Sequence, residues 1–123
     1  MELFVEAEVY PTESREKVEK AVRNIFDVEL VFKGGRIVGR SRSVKSLSKL
    51  QQLISRRYIR DTARHILLAS AKAGKISFRM NKQAAYMGAV NFAEESQLGS
   101  IRVEIADKDI DELIDRIASS ATL

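Results

Sequence analysis

Fourteen lysines and arginines fall between residues 33 and 82 of this 123-residue chain, and only one acid, Asp61, accompanies them. The flanking segments, residues 1–32 and 83–123, hold the other sixteen acids. A cationic block of this kind attracts polyanions, of which nucleic acid is the commonest in a cell. The chemistry that the sequence offers is therefore the binding of phosphate groups.

The spacing of these basic residues would align them on regular elements. Strand residues share a side when their numbers differ by two or four, and helix residues share a face when they are three or four apart. The three sets are Arg36, Arg40 and Arg42 on a strand, Lys45, Lys49, Gln52 and Arg56 on one helix, and Arg57, Arg60 and Arg64 on the next. The planar guanidinium of arginine suits bidentate phosphate binding. Tyr58 and Tyr86 lie within or near the block and would stack on bases if exposed.

Two other interpretations of the block compete with the binding of a polyanion. The charges could simply be solvated helix faces. Alternatively, the acidic ends of the chain could pack against the basic middle, either within one subunit or across a homodimer. Asp61 lies four residues from Arg57 and His65 and three from Arg64, which indicates some local pairing. A single acid in the block cannot balance fourteen bases, so the sequence favours a polyanion partner.

Residues suited to catalysis or metal binding are scarce. The chain has no cysteine, which excludes disulfides, thiolate nucleophiles and thiolate metal ligands. His65 is the only histidine and is expected to be a surface or structural residue. Glu94 and Glu95 are adjacent on a predicted loop and define no acid–base geometry. We therefore expect no enzyme activity, no cofactor and no metal.

Acidic residues crowd the start of the last predicted helix, at Asp107, Asp109, Asp111, Glu112 and Asp115. A calcium loop would need a glycine where Glu112 stands. Acids at a helix N-terminus are stabilised by the helix dipole, so this cluster predicts a capped helix rather than a metal site.

Hydrophobic periodicity predicts ten elements in the order β-α-β-β-α-α-β-β-β-α. Strands are predicted at residues 3–9, 28–32, 36–41, 75–81, 89–92 and 101–105. Helices are predicted from Thr12 or Ser14 to Phe26, from Ser43 to Gly74 with a break near residues 55–58, and over residues 110–117. Gly34-Gly35 predicts a hairpin turn and Gly74 a helix C-cap. Residues 83–87 are ambiguous, with one helical turn ended by Gly88 as one interpretation.

This order predicts the α+β class, a single domain over residues 1–123 with a mostly antiparallel sheet and helices packed on it. No apolar run approaches the roughly 20 residues that span a bilayer, and the acidic N-terminus does not resemble a secretory signal. We therefore expect a cytoplasmic protein without a transmembrane segment.

Six segments, taken in order, resemble an archaeal family of small uncharacterised proteins. They are EAEVYPTES (Glu6–Ser14), EKVEKAVRNIF (Glu16–Phe26), GRIVGRS (Gly35–Ser41), RDTARHILL (Arg60–Leu68), NKQAAYMGAVNFAEE (Asn81–Glu95) and LGSIRVEI (Leu98–Ile105). The family is labelled as RNA-binding and as a predicted exosome-associated subunit. The resemblance implies an α+β fold, a homodimer, membership of an RNA-processing complex, and a shape similar to the ribosomal protein that contacts 5S RNA.

The NKQ segment is the most recognisable part of the resemblance, so Asn81, Lys82 and Gln83 join the candidate RNA-binding residues. The alternative is that they form a structural turn, because Asn and Gln side chains often cap or cross-link loops. We therefore predict a non-catalytic module that binds the RNA backbone through its basic surface. The alternative is a dimeric protein–protein interaction module without direct RNA binding.

Overall fold

The computed structural model describes residues 1–56, 59–93 and 99–119. Its strands are β1 (Glu2–Glu8), β2 (Leu30–Lys33), β3 (Arg36–Ser41), β4 (Lys75–Asn81), β5 (Phe92–Ala93) and β6 (Ser100–Ala106). Its helices are α1 (Arg15–Ile25), α2 (Ser48–Arg56), α3 (Arg60–Ser70), α4 (Lys82–Tyr86) and α5 (Ile110–Ile117), with a 3-10 turn at Val44–Leu47 before α2. The strands form one sheet in the order β2-β3-β1-β6-β4-β5, and all the described pairs are antiparallel.

The alternating strand sequences give the sheet two different faces, because successive side chains point to opposite sides. On β1, Leu3, Val5 and Ala7 are buried on the core face. The opposite face carries Phe4 and Glu6, which pair across the strands with Arg40 and Arg102. This second face, called here the charged sheet face, is partly or fully exposed along β1 and β3.

The helices complete the core by placing their apolar stripes against it. Helix α1 is capped by Ser14, whose hydroxyl accepts a hydrogen bond of 3.3 Å from the Lys17 N–H. Helix α1 buries four residues, Val18, Ala21, Val22 and Ile25. It packs on α4 and α2, and α5 packs on α2 and α3. Capping fixes where α1 starts, and apolar periodicity fixes which side of it faces the core.

The α+β class and most of the predicted elements are confirmed. The Gly34-Gly35 turn has φ values of +60° and +75°, as a two-residue hairpin of the predicted kind requires. Asp109 caps α5 by accepting a 3.1 Å hydrogen bond from the Glu112 N–H. Helices α2 and α3 are separate elements, as predicted, with α2 ending at Arg56 and α3 beginning at Arg60. Residues 57–58 lie outside the described part of the chain.

The predicted helix end at Gly74 is wrong. Helix α3 ends at Ser70, and Lys72 and Lys75 exchange backbone hydrogen bonds of 2.9 and 3.1 Å around a two-residue turn. Both turn residues have positive φ, +52° at Ala73 and +75° at Gly74. Gly74 therefore closes a hairpin turn before β4 rather than a helix.

The region after β4 also differs from the prediction. Residues 82–86 form the short helix α4, which settles the ambiguity in favour of a helical turn. The Ala89 N–H bonds back to the Ala84 carbonyl at 2.8 Å and Gly88 has φ +78°, so the chain turns back here. The predicted strand at residues 89–92 is therefore replaced by the two-residue strand β5.

Candidate nucleic-acid interface

The fold distributes the basic block over separate parts of the molecule. Arg36 and Arg40 lie on β3, on the charged sheet face, with Arg42 just beyond the strand. Lys49 and Arg56 lie on α2, within the helical layer, and Lys45 is exposed on the turn before it. Arg36 and Arg40 share a strand and Lys49 and Arg56 share a helix, as predicted, whereas Arg42 and Lys45 lie outside the elements to which they were assigned. The elements do not bring all of these residues to one surface.

Acids from the N-terminal strand accompany the arginines of the sheet face. Arg36 approaches Glu6 at 3.4 Å and Glu8 at 3.7 Å, and Arg42 approaches Glu2 at 3.5 Å. The Arg40 guanidinium lies 4.7 Å from the centre of the Phe4 ring. Each arginine of this set thus already has an intramolecular partner, and the partners of Arg36 and Arg42 are acids, as the interpretation with acidic ends packed on the basic middle predicts.

The basic residues of α3 lie in a third place. Arg64 forms an ion pair with Asp115 of α5 and donates a 3.2 Å hydrogen bond to the Ala118 carbonyl. Arg60 is partly exposed at the start of the helix. Arg57, Tyr58, Glu94 and Glu95 lie outside the described residues. Arg64 therefore joins α3 to α5, and its charge is already shared with an acid.

The NKQ segment supports α4 and the loop after β1. The Asn81 side-chain oxygen accepts a 2.9 Å hydrogen bond from the Ala84 N–H and so caps α4. Lys82 is only 5% exposed, and its ammonium donates to the Glu8 carbonyl at 2.6 Å and to Glu13 at 2.9 Å. Gln83 is exposed. The positions of Asn81 and Lys82 fit the structural-turn interpretation of this segment.

The surroundings of Glu13 shift the pKa of its carboxyl group. Burial tends to raise the pKa of its carboxyl group. A hydrogen bond from the Tyr10 N–H, a hydrogen bond from Lys82 and the positive charge of Lys82 outweigh burial, so the pKa lies below its ordinary value. The carboxylate is therefore ionised at neutral pH and holds the Lys82 ammonium in place.

A cleft between α1, α2 and α4, called here the helical cleft, brings several cations together. Its volume is about 540 Å³. The residues that line it are Lys20, Asn24, Lys49, Gln52, Leu53, Arg56, Tyr86, Met87 and Gly88. Three of the four residues predicted on one face of α2, Lys49, Gln52 and Arg56, meet here. Among residues 1–56, 59–93 and 99–119, no carboxylate lines the cleft, so these residues leave its positive potential uncancelled.

Hydrogen bonds between elements hold the walls of the helical cleft. The Asn24 side-chain amide donates to the carbonyls of Ala85 and Tyr86, each at 3.0 Å. The Lys49 ammonium donates to the Arg23 carbonyl at 2.9 Å. These bonds join α1 to α4 and α1 to α2, so the three helices present one continuous surface.

Lys20 and Met87 are among the residues of the cleft that the prediction missed. The Lys20 ammonium lies 4.9 Å from the centre of the Tyr86 ring, and Met87 is 77% exposed beside it. Lys20 belongs to the acidic N-terminal third of the chain, where a segment-by-segment charge count hides it. The three-residue spacing of Lys17 and Lys20 on the polar face of α1 was the available signal.

The two acids of the cluster that precede α5, Asp107 and Asp109, accept hydrogen bonds from backbone N–H groups. Asp107 accepts a 2.8 Å hydrogen bond from the Asp109 N–H, and this bond lowers the pKa of the Asp107 carboxyl group. Residues 1–56, 59–93 and 99–119 contain no group of three or more acids or histidines arranged to hold a metal ion. Nor do these ranges contain a helix long and apolar enough to cross a membrane.

A family model described as RNA binding matches residues 2–106. A UPF0201 protein of Thermococcus onnurineus (strain NA1) is 43% identical over 122 residues, which cover 95% of this chain and 90% of that protein. The crystal structure of a UPF0201 protein from Methanococcus jannaschii aligns with a TM-score of 0.84 at 35% identity and covers 99% of this chain and 96% of that one. The crystal structure of another uncharacterized UPF0201 protein aligns with a TM-score of 0.89 at 31% identity and covers 98% and 94%.

Proposed function

The chain belongs to the archaeal UPF0201 family, and we propose that it is a non-catalytic, cytoplasmic module that binds the phosphate backbone of RNA through the helical cleft. The observation that carries this proposal is the meeting of Lys20, Lys49 and Arg56 around a cleft whose lining, in the described part of the chain, includes no carboxylate. The family model described as RNA binding supports the same class of ligand.

The helical cleft is a better phosphate site than the charged sheet face for an electrostatic reason. A phosphate that approaches Arg36 or Arg42 must compete with glutamates within 4 Å. The ammonium of Lys49 instead donates to a neutral carbonyl, and Lys20 rests on an aromatic ring. These two partners leave the full positive charge available, so a phosphate gains more from the cleft than from the sheet.

A salt titration of RNA binding tests the proposal. The purified chain is mixed with a labelled pool of structured and single-stranded RNA, and the affinity is measured between 50 and 200 mM salt. Each phosphate contact contributes a slope of roughly −0.7 to −0.9 to the dependence of log affinity on log salt. We expect a combined slope of about −2 to −3 for the three cations. Absence of binding at 50 mM salt would refute the proposal and favour a protein partner.

We also propose that two copies associate through the free edge of β2. This strand ends the sheet, and its Val31 is 62% exposed, which is unusual for an edge that must avoid pairing. An antiparallel pairing of two β2 strands would satisfy both edges and cover both valines. Membership of an RNA-processing complex stays a prediction of the family resemblance.

Sedimentation of the wild type over a wide concentration range tests the association. Val31→Lys would place a charge at the edge and should convert a dimer to a monomer. Leu68→Lys is the matched control, because Leu68 is 43% exposed on α3, away from the sheet edge. A wild type that stays monomeric at every concentration would rule out this dimer.

A further inference from the structure

We infer that the helical cleft holds an unpaired RNA base against Tyr86, so that the protein selects single-stranded over double-stranded RNA. This inference rests on the proposed function and adds the class of RNA. Tyr86 is partly buried, packs against the hydrophobic core and lines the cleft beside the three cations. An aromatic ring among phosphate-binding cations is the usual composition of a site for single-stranded nucleic acid.

The backbone that carries Tyr86 is held in place before any ligand arrives. The carbonyls of Ala85 and Tyr86 both accept hydrogen bonds from the Asn24 amide, which fixes the end of α4 to α1. The Met87 N–H bonds back to the Gln83 and Ala84 carbonyls at 3.2 and 3.0 Å, and Gly88 turns the chain away. Because the backbone is fixed and the side chain packs against the core, Tyr86 loses little freedom when a base stacks on it.

The Lys20 ammonium contacts that ring and can be displaced from it. It lies 4.9 Å from the ring centre, and the residue is exposed to solvent. An exposed cation–π contact is weaker than the stacking of a base on an aromatic side chain. A base can therefore replace the ammonium on the ring, and the released ammonium can bind the phosphate of the same nucleotide.

The remaining lining fits a base as well as a phosphate. Leu53 and Met87 supply apolar surface beside the ring, while the Gln52 amide offers both a donor and an acceptor to the edge of a base. The volume of about 540 Å³ lies within the roughly 300–1,000 Å³ range of small-ligand sites. Paired bases in an A-form helix are stacked on one another, so their faces are not open to the Tyr86 ring. A duplex therefore gains only the phosphate contacts.

The test compares one RNA sequence as a single strand and as a duplex, with 2-aminopurine as a fluorescent base that reports stacking. The variants are Tyr86→Leu, which removes the ring, and Tyr86→Phe, the matched control that keeps it. For Tyr86→Leu we expect single-strand affinity to fall roughly 5- to 150-fold, as for the loss of one base–aromatic stack. Duplex affinity and the salt slope should not change, and Tyr86→Phe should behave as the wild type.

A second measurement on the wild-type chain keeps the inference testable if Tyr86→Leu does not fold. Single-stranded RNA carrying 5-iodouracil is irradiated in the complex, and the crosslinked residue is identified by mass spectrometry. Crosslinking at Tyr86 or Met87 supports the inference. Equal affinity for both RNA forms with no fluorescence change would overturn the inference, and so would crosslinks only on the charged sheet face. In either case a steep salt slope would still support RNA binding. Absence of binding to either form would overturn both proposals.

Discussion

Removal of three positive charges should have very different effects on the two sides of the molecule. One triple variant, Lys20→Gln, Lys49→Gln and Arg56→Gln, neutralises the helical cleft. The other, Arg36→Gln, Arg40→Gln and Arg42→Gln, neutralises β3 and the residue beyond it on the charged sheet face. Both change the net charge equally, so any effect of overall charge on encounter with RNA is matched between them.

The magnitude follows from the number of cations at the cleft. Three phosphate contacts to a single strand contribute about −0.7 each to the log–log salt slope. If this electrostatic contribution vanishes near 1 M salt, its loss lowers affinity about 100-fold at 100 mM salt and about 30-fold at 200 mM. The sheet variant should lose less than about 3-fold, because its arginines already contact Glu2, Glu6, Glu8 or Phe4.

Fluorescence anisotropy with a labelled single-stranded RNA measures both affinities, and thermal unfolding checks that both variants are folded. The comparison of the two slopes is more informative than either affinity alone, because a partly unfolded variant loses affinity without a defined change in slope. An equal loss in the two triple variants, or a larger loss in the sheet variant, would refute the assignment of the cleft as the phosphate site.

Three further results are expected from the packing. Lys82→Met should lower the free energy of unfolding by about 2–4 kcal/mol in urea denaturation, because it leaves Glu13 without its partner. The double variant with Glu13→Gln should recover part of this loss. If the losses of the two single variants simply added in the double variant, the pairing would be contradicted. The stability that Glu13 contributes should be complete above its unfolded-state pKa of about 4.5 and decline as pH falls toward its lower folded-state pKa. If the free energies of unfolding of the wild type and Glu13→Gln differed by the same amount at pH 7 and pH 3, this would be contradicted. Gly39→Ala should cost about 1–3 kcal/mol, because its Cβ would lie 2.8 Å from a Leu30 methyl group, whereas Val38→Ala on the exposed side should cost less; similar losses for the two would argue against a close approach at Gly39.

Local signals in the sequence predicted most of the fold. Ser14 begins α1 and Gly34-Gly35 turns a hairpin because capping and positive φ are properties of a few adjacent residues. Gly74 misled the prediction because a glycine with positive φ serves a helix end and a hairpin turn equally well. The choice between them depends on the pairing of Lys72 with Lys75, which lies just beyond the apolar repeat of α3.

The candidate site was predictable only within a single element. Helical spacing placed Lys49, Gln52 and Arg56 together, and the structure brings all three to the cleft. The opposite wall comes from Lys20 and Tyr86, which lie far away in the sequence on α1 and α4. Periodicity orients the side chains of one helix around its axis, but the packing of helices against each other decides which faces meet.

The pairing of acids with bases explains how a chain of modest net charge can carry a strongly cationic site. Glu2, Glu6 and Glu8 alternate along β1, so the antiparallel register with β3 places them beside Arg36 and Arg42. Because β1 and β3 are adjacent strands, the acids at the start of the chain offset the first arginines of the basic block. Lys20, Lys49 and Arg56 meet where α2 packs on α1 and α4, away from these glutamates, so the helical cleft is cationic although the chain as a whole carries only +4.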